Sequence, residues 1–318
     1  MINKRRSFII GIKSHELTIK EKKFLRKYKP WGVILFSRNI KSIKQCSILT
    51  NSIRKLFSDK FYPILIDEEG GKVSRLSKII NTSVFKAQFF GDLFLNNKSK
   101  FNTYSKVYIE QMSYLLKQMG ININTVPVLD VRRAKSNKII GSRSFSTNPK
   151  VVSKIGDIFI ELYQKNNIGT VIKHIPGHGL AKVDSHKITP TVYDSLKKLN
   201  KNDFLPFKNK KSLFSMTAHI KYNKIDKSLT ATHSSKIINL IRKKIRFKNI
   251  IMTDDISMKS LKFKIPTNTT LAFKAGCNLV LHCNSNYSEM LQVAKNSPKL
   301  SNFLIKKTSE FYNMLKKN

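Results

Sequence analysis

Short apolar runs alternate with longer stretches of helical spacing along nearly the whole chain, and this alternation most narrows the fold. Strands are predicted at residues 8–12, 32–36, 63–67, 123–130, 169–174, 213–219, 249–254 and 278–283. Helical periodicity marks 19–29, 43–57, 104–119, 151–166, 234–245 and 303–317, while 178–204 is mixed, with room for only a short helix. Neighbouring parallel strands need a crossover connection, usually a helix, and eight strands close into a barrel whose interior side chains fill. The reading is therefore an α/β chain forming a single-domain TIM-type (β/α)8 barrel over residues 1–318, with allowance for irregular or missing helices. An open doubly wound sheet is the alternative, but no glycine-rich dinucleotide fingerprint follows the first strand.

A barrel makes a further demand, because its chemistry gathers at the carboxyl ends of the strands and in the loops that follow them. The polar residues fall there. The third strand runs into DEEGG (67–71), the fourth ends at Asp130, the fifth enters KHIPGHG (173–179), the sixth ends in Thr217, Ala218 and His219, and the seventh in TDD (253–255).

Composition bears on partners and compartment. Sixty Lys and Arg against nineteen Asp and Glu give a formal net charge of +41, the electrostatic footprint of a nucleic-acid binder. The lysines are spread along the chain rather than gathered on one arm, and no nucleic-acid-binding motif accompanies them, so no specific nucleic acid is expected as partner. Cys46, Cys277 and Cys283 are sparse and lack metal-ligand spacing, as expected of buried thiols in a reducing compartment. The apolar run near the N-terminus is too short for a signal segment, and no run of about 18 apolar residues occurs. These features predict a cytoplasmic protein with no membrane partner, and a monomer is expected.

Residues 171–192, VIKHIPGHGLAKVDSHKITPTV, are the most informative stretch. His174, His178, Asp184 and His186 admit two readings, as metal ligands or as hydrogen-bonding and acid/base groups. Their spacing matches no common zinc pattern. Asp184 and His186 stand two apart, which in an extended loop puts both side chains on one side of the backbone. The carboxylate can then hold one imidazole nitrogen and leave the other to carry a proton near neutral pH.

KHIPGHG with its downstream DSH, together with DEEGGKVSRL, PVLDV, GSRSFSTNP, MTAHI and IMTDDISM, resembles the β-N-acetylhexosaminidases of glycoside hydrolase family 3, of the single-domain bacterial type that acts in peptidoglycan recycling. The motifs run in the family's order from GVILFSRNI to AGCNLVLHCN, most of the chain. The resemblance implies Asp254 as nucleophile, His186 as acid/base and Asp184 as its orienting partner. It also implies that Asp67, Arg75, Arg143, Lys173 and His174 hold the sugar's hydroxyls and acetamido group. Arg75 and Arg143 read equally well as ordinary ion-pair residues, which contribute only about 0–1 kcal/mol when exposed. Lys72, Glu68, Thr253 and Asn278 depart from the residues usual in the family, and none is a proposed catalytic group.

The implied chemistry is a double displacement. Asp254 attacks the anomeric carbon while His186 protonates the leaving oxygen, and His186 then activates the water that releases the sugar. No metal or organic cofactor is needed, and the substrate is a small molecule, an N-acetylglucosaminide or an anhydro-muropeptide. Three alternatives stand beside this reading: phosphate rather than water as glycosyl acceptor, a metal-dependent hydrolase built on the histidines, and a basic nucleic-acid-binding protein on an inactive barrel. His178 and His219 are expected to be structural or to act behind the site.

Overall fold

A computed structural model of the chain describes residues 2–133, 140–181 and 188–316. In chain order its strands are β1 (Arg6–Gly11), β2 (Pro30–Leu35), β3 (Ile64–Ile66), β4 (Ile123–Asn124), β5 (Gly169–Ile175), β6 (Thr191–Val192), β7 (Phe214–Thr217), β8 (Lys221–Tyr222), β9 (Ile250–Asp255) and β10 (Leu279–His282). Eight of them close a barrel in the order β1, β10, β9, β7, β5, β4, β3, β2, with every pairing parallel. This is the predicted α/β TIM-type barrel. The remaining two, β6 and β8, pair only with each other beside the barrel, and the sequence reading did not include them.

The connections are helical, as parallel pairing requires. They are α1 (Ile19–Tyr28), α2 (Ile43–Phe57), α3 (Ala87–Asn96), α4 (Lys98–Gln118), α5 (Pro149–Lys165), α6 (Leu196–Lys201), α7 (Ser235–Leu240), α8 (Ile265–Ala275), α9 (Tyr287–Asn296) and α10 (Asn302–Leu315). Local chemistry sets several starts. Thr18 and Glu21 form a reciprocal capping box on α1, and Asn148 caps α5 ahead of a proline in its first turn.

Three helices went unpredicted. The α8 sequence IPTNTTLAFKA is rich in threonine, a weak helix former, and it is delimited by Pro266 in its first turn and by Gly276 at φ 109° after its end. The strand predicted over 123–130 is the largest correction to the strand assignments. Its regular ladder spans two residues, because Pro127 has no N–H to donate; beyond it Val126 and Pro127 only accept, from the Val171 and Lys173 amides, until the Leu129 amide donates to the Lys173 carbonyl.

Two cores hold the barrel. The interior is filled by alternate strand residues such as Ile9, Trp31, Leu65, Val171, Phe214 and Met252. The faces outside the strands pack against the helices. α10 plugs the amino-terminal mouth with Leu304, Phe311 and Tyr312, and Thr308 accepts the Trp31 indole N–H at 2.8 Å. With that end sealed, the open end is where the strands finish. Among the described residues no helix is long and apolar enough to cross a membrane.

Candidate active site

At the carboxyl end of the barrel lies a cavity of about 240 Å³, lined among others by Asp67, Arg75, Arg143, Lys173, His174 and Asp254. That volume is below the range of about 300–1,000 Å³ typical of drug-sized ligands and suits a single ring. These six residues arrive from four of the barrel strands or the loops after them. Asp67 follows β3, Lys173 and His174 lie on β5, and Asp254 is on β9. Arg75 comes from the loop after β3, and Arg143 from the short turn Gly141–Arg143 ahead of α5.

The side chains form two linked groups. In the first, Lys173 Nζ is 2% exposed and donates to Asp67 Oδ1, to Thr125 Oγ1 at 3.1 Å and to Glu69 Oε1 at 2.6 Å. Arg75 donates to Asp67 Oδ2 at 2.7 Å, and Thr125 donates to Asp67 Oδ1 at 2.6 Å. Arg143 grips Glu69 with two parallel bonds of 2.7 Å from Nε and Nη2, the fork geometry that guanidinium offers a carboxylate. Burial opposes ionisation of Asp67, Glu69, Lys173 and Arg143, yet the opposite charges prevail. Asp67 and Glu69 are held below the usual carboxylate range, and Lys173 and Arg143 are held above theirs. Glu69 is an addition, since the sequence reading assigned it no place in the site.

In the second group, Asp130 is fully buried and accepts from the His174 ring Nδ1 at 2.7 Å and from the His178 amide at 2.6 Å. A carboxylate on Nδ1 sets the tautomer and leaves His174 Nε2 toward the cavity. Nε2 lies 4.0 Å from Asp254 Oδ2. Asp254 Oδ1 accepts the Asp255 amide at 2.7 Å. Burial raises the Asp254 pKa, but His219, His174, the Asp255 amide and Lys173 outweigh it, so the carboxyl is held ionised. His219 stands behind it, bonded to Thr232 Oγ1 at 2.7 Å and to the Asp255 carbonyl at 3.0 Å. His178 lies with its ring centroid 5.5 Å from that of His174, and burial pushes its pKa down to about 4.

The structure thus brings Asp67, Arg75, Arg143, Lys173, His174 and Asp254 into one cavity, though 187 residues separate the first from the last. Asp184 and His186 lie outside the described residues. Three of the residues that depart from the usual pattern, Thr253, Asn278 and Glu68, have structural partners. Thr253 Oγ1 accepts the Leu281 amide at 3.0 Å and Asn278 Oδ1 accepts from Ile251 N at 2.9 Å, both tying β9 to β10. Glu68 gathers the amides of Arg75 and Leu76 and the hydroxyls of Ser74 and Thr82, shaping the loop that carries Arg75. Among the described residues, no group of three or more His, Cys, Asp or Glu is arranged to hold a metal.

The chain is similar to known proteins over most of its length. The family model described as the glycosyl hydrolase family 3 N-terminal domain matches residues 9–308. A β-hexosaminidase of Hydrogenovibrio crunogenus is 31% identical over 281 residues, 87% of this chain and 78% of that protein. β-Hexosaminidase A of Pseudoalteromonas piscicida is 32% identical over 286 residues, and the match spans about half of that longer protein, 46% of it against 81% of this chain. The crystal structure of NagZ from Neisseria gonorrhoeae in complex with N-trifluoroacetyl-D-glucosamine superposes with a TM-score of 0.82 at 26% identity, covering 98% of this chain and 96% of that one.

Proposed function

The chain belongs to glycosyl hydrolase family 3, and from that premise we propose that it is a retaining exo-β-N-acetylglucosaminidase acting as a single catalytic domain over residues 1–318. Its substrate is a terminal, non-reducing N-acetylglucosamine on a small glycoside such as an anhydro-muropeptide, and its setting is peptidoglycan recycling in the cytoplasm. The observation that carries the reading is Asp254: an ionised carboxylate at a strand end, beside His174, in a cavity the size of one sugar ring.

Asp254 attacks the anomeric carbon, and His186, oriented by Asp184, protonates the departing oxygen and later takes a proton from the attacking water. Asp67, Arg75, Arg143, Lys173 and His174 hold the sugar. Their mutual bonds keep each donor and acceptor in place before substrate arrives, so little reorganisation opposes the transition state. No metal or organic cofactor has a step in this scheme. Water is the acceptor in this scheme, and phosphate is the rival that the experiment separates, since Arg75, Arg143 and Lys173 share only two carboxylates, Asp67 and Glu69.

The test is turnover of a 4-nitrophenyl β-N-acetylglucosaminide with and without phosphate. The expected outcome is free N-acetylglucosamine in both, with activity falling on the order of 10⁴-fold in Asp254→Asn while the circular dichroism is kept. Full activity in that variant would end the assignment, and a phosphate-dependent sugar phosphate would change the acceptor.

A further inference from the structure

The turn that leaves β5 rests on a carboxylate that the scheme above leaves without a task. Asp203, between α6 and the short turn Leu205–Phe207, is 1% exposed. Its Oδ2 lies 3.4 Å from Arg133 Nη2, and its Oδ1 has no hydrogen-bond partner among the described residues. The two glycines of the turn are pressed against it. A Cβ on Gly177 would lie 2.7 Å from the Asp203 carbonyl oxygen and 2.9 Å from the Asp203 Cβ. One on Gly179 would lie 2.1 Å from the Val131 oxygen and 2.9 Å from Asp203 Oδ1. On another side Tyr222 donates its hydroxyl to the Gly177 carbonyl. His178, between the glycines, gives its amide to Asp130, the same carboxylate that holds the His174 ring.

A buried carboxylate with one oxygen unsatisfied is a cost to the fold. Burial raises the Asp203 pKa to about 6, with Arg133 lowering it and Asp130 and Asp194 adding to the rise. Tyr222, also facing it, stays neutral because burial raises its own pKa well above the ordinary value. Because the folded value lies above the unfolded one, ionisation of Asp203 removes stability as pH rises from about 4 to about 6. A group that costs stability while its contacts are those of a substrate-binding turn points to a role in function.

We propose that Asp203, held by Arg133 and packed against both glycines, is a positioning residue whose side chain sets the Gly177–Gly179 turn and, through it, His178, Asp130 and His174. This rests on the glycosidase reading of the site.

The experiment uses the full chain and the aryl glycoside, with kcat, KM, melting temperature and the pH profile of kcat/KM measured for wild type, Asp203→Asn and Arg133→Met. The wild type should show an acid limb near pH 6. Asp203→Asn should lower kcat by about tenfold or more with KM nearly unchanged, lose that limb and melt no lower than wild type. Arg133→Met should lower kcat in the same way and move the limb to higher pH, since the cation that favours ionisation is gone. An active wild type with an unaltered kcat and profile in Asp203→Asn would overturn the role alone, as would a melting temperature that falls in step with activity. A wild type without glycosidase activity would overturn the underlying reading, and the role with it.

Discussion

Around Lys173, the cost of burying an ammonium is offset by two carboxylates at once, and one of them also neutralises Arg143. Glu69 is therefore the shared partner of two cations, and it is 4% exposed. Replacing it with Gln leaves Arg143 and Lys173 short of compensating charge, and breaking a buried pair costs about 3–5 kcal/mol. Glu69→Gln is expected to lower the unfolding free energy from urea denaturation at pH 7 by about 3–5 kcal/mol, and an unchanged value would refute the shared-partner account. The pH dependence has a definite sign. The Glu69 pKa is lower folded than unfolded, so the unfolded chain binds more protons in acid. Its contribution is whole above the unfolded value near 4.5 and fades as pH falls through the lower folded one, so the gap between variant and wild type should narrow in acid. At this scale the sequence was legible where a polar residue ended an apolar run, as at Asp67, Lys173 and Asp254. It was not legible at Glu69, one of three consecutive acids, whose partner Arg143 lies 74 positions away.

Elements place what residues alone cannot. Arg143 sits on a three-residue turn whose position depends on α3, because the Phe145 backbone lies directly on Gly91. A Cβ on Gly91 would come within 1.6 Å of the Phe145 oxygen, and backbone on both sides leaves no flexible atom to yield. Gly91→Ala is expected to cost about 1–3 kcal/mol by overpacking and to raise KM by displacing Arg143 from Glu69, with steady-state kinetics and chemical denaturation as the readouts. A stable variant with normal KM would show that α3 does not set the turn. α3 itself was not visible in the sequence, and neither were α8 and α9, since short helices of this kind depend on tertiary packing more than on propensity. The fourth strand shows the reverse error: an apolar run that reads as extended throughout makes only a two-residue ladder once Pro127 removes a donor.

For the molecule as a whole, closure at the amino-terminal mouth decides whether the cavity at the other end has a rigid floor. Arg5, Asp59 and Tyr312 meet there from the start of the chain, the loop before β3 and the closing helix α10, with Tyr312 donating to Asp59 at 2.6 Å and Arg5 lying 4.6 Å from the centre of the Tyr62 ring. Arg5 is 3% exposed and Asp59 10%, so Asp59→Ala strands a buried guanidinium and should destabilise by about 3–5 kcal/mol while leaving kcat at 25 °C unchanged. Denaturation monitored alongside activity checks this, and equal stability would remove the pin from the account. The sequence by itself determined the architecture and the candidates for chemistry. Strand and helix periods are local properties of the chain, and eight helix-linked strands admit few closures. Only the tertiary structure decided which candidates share a cavity and which carboxylate serves which cation. Those are contacts between strand ends far apart in sequence, and burial, charge and hydrogen bonding settle them together once the barrel has closed.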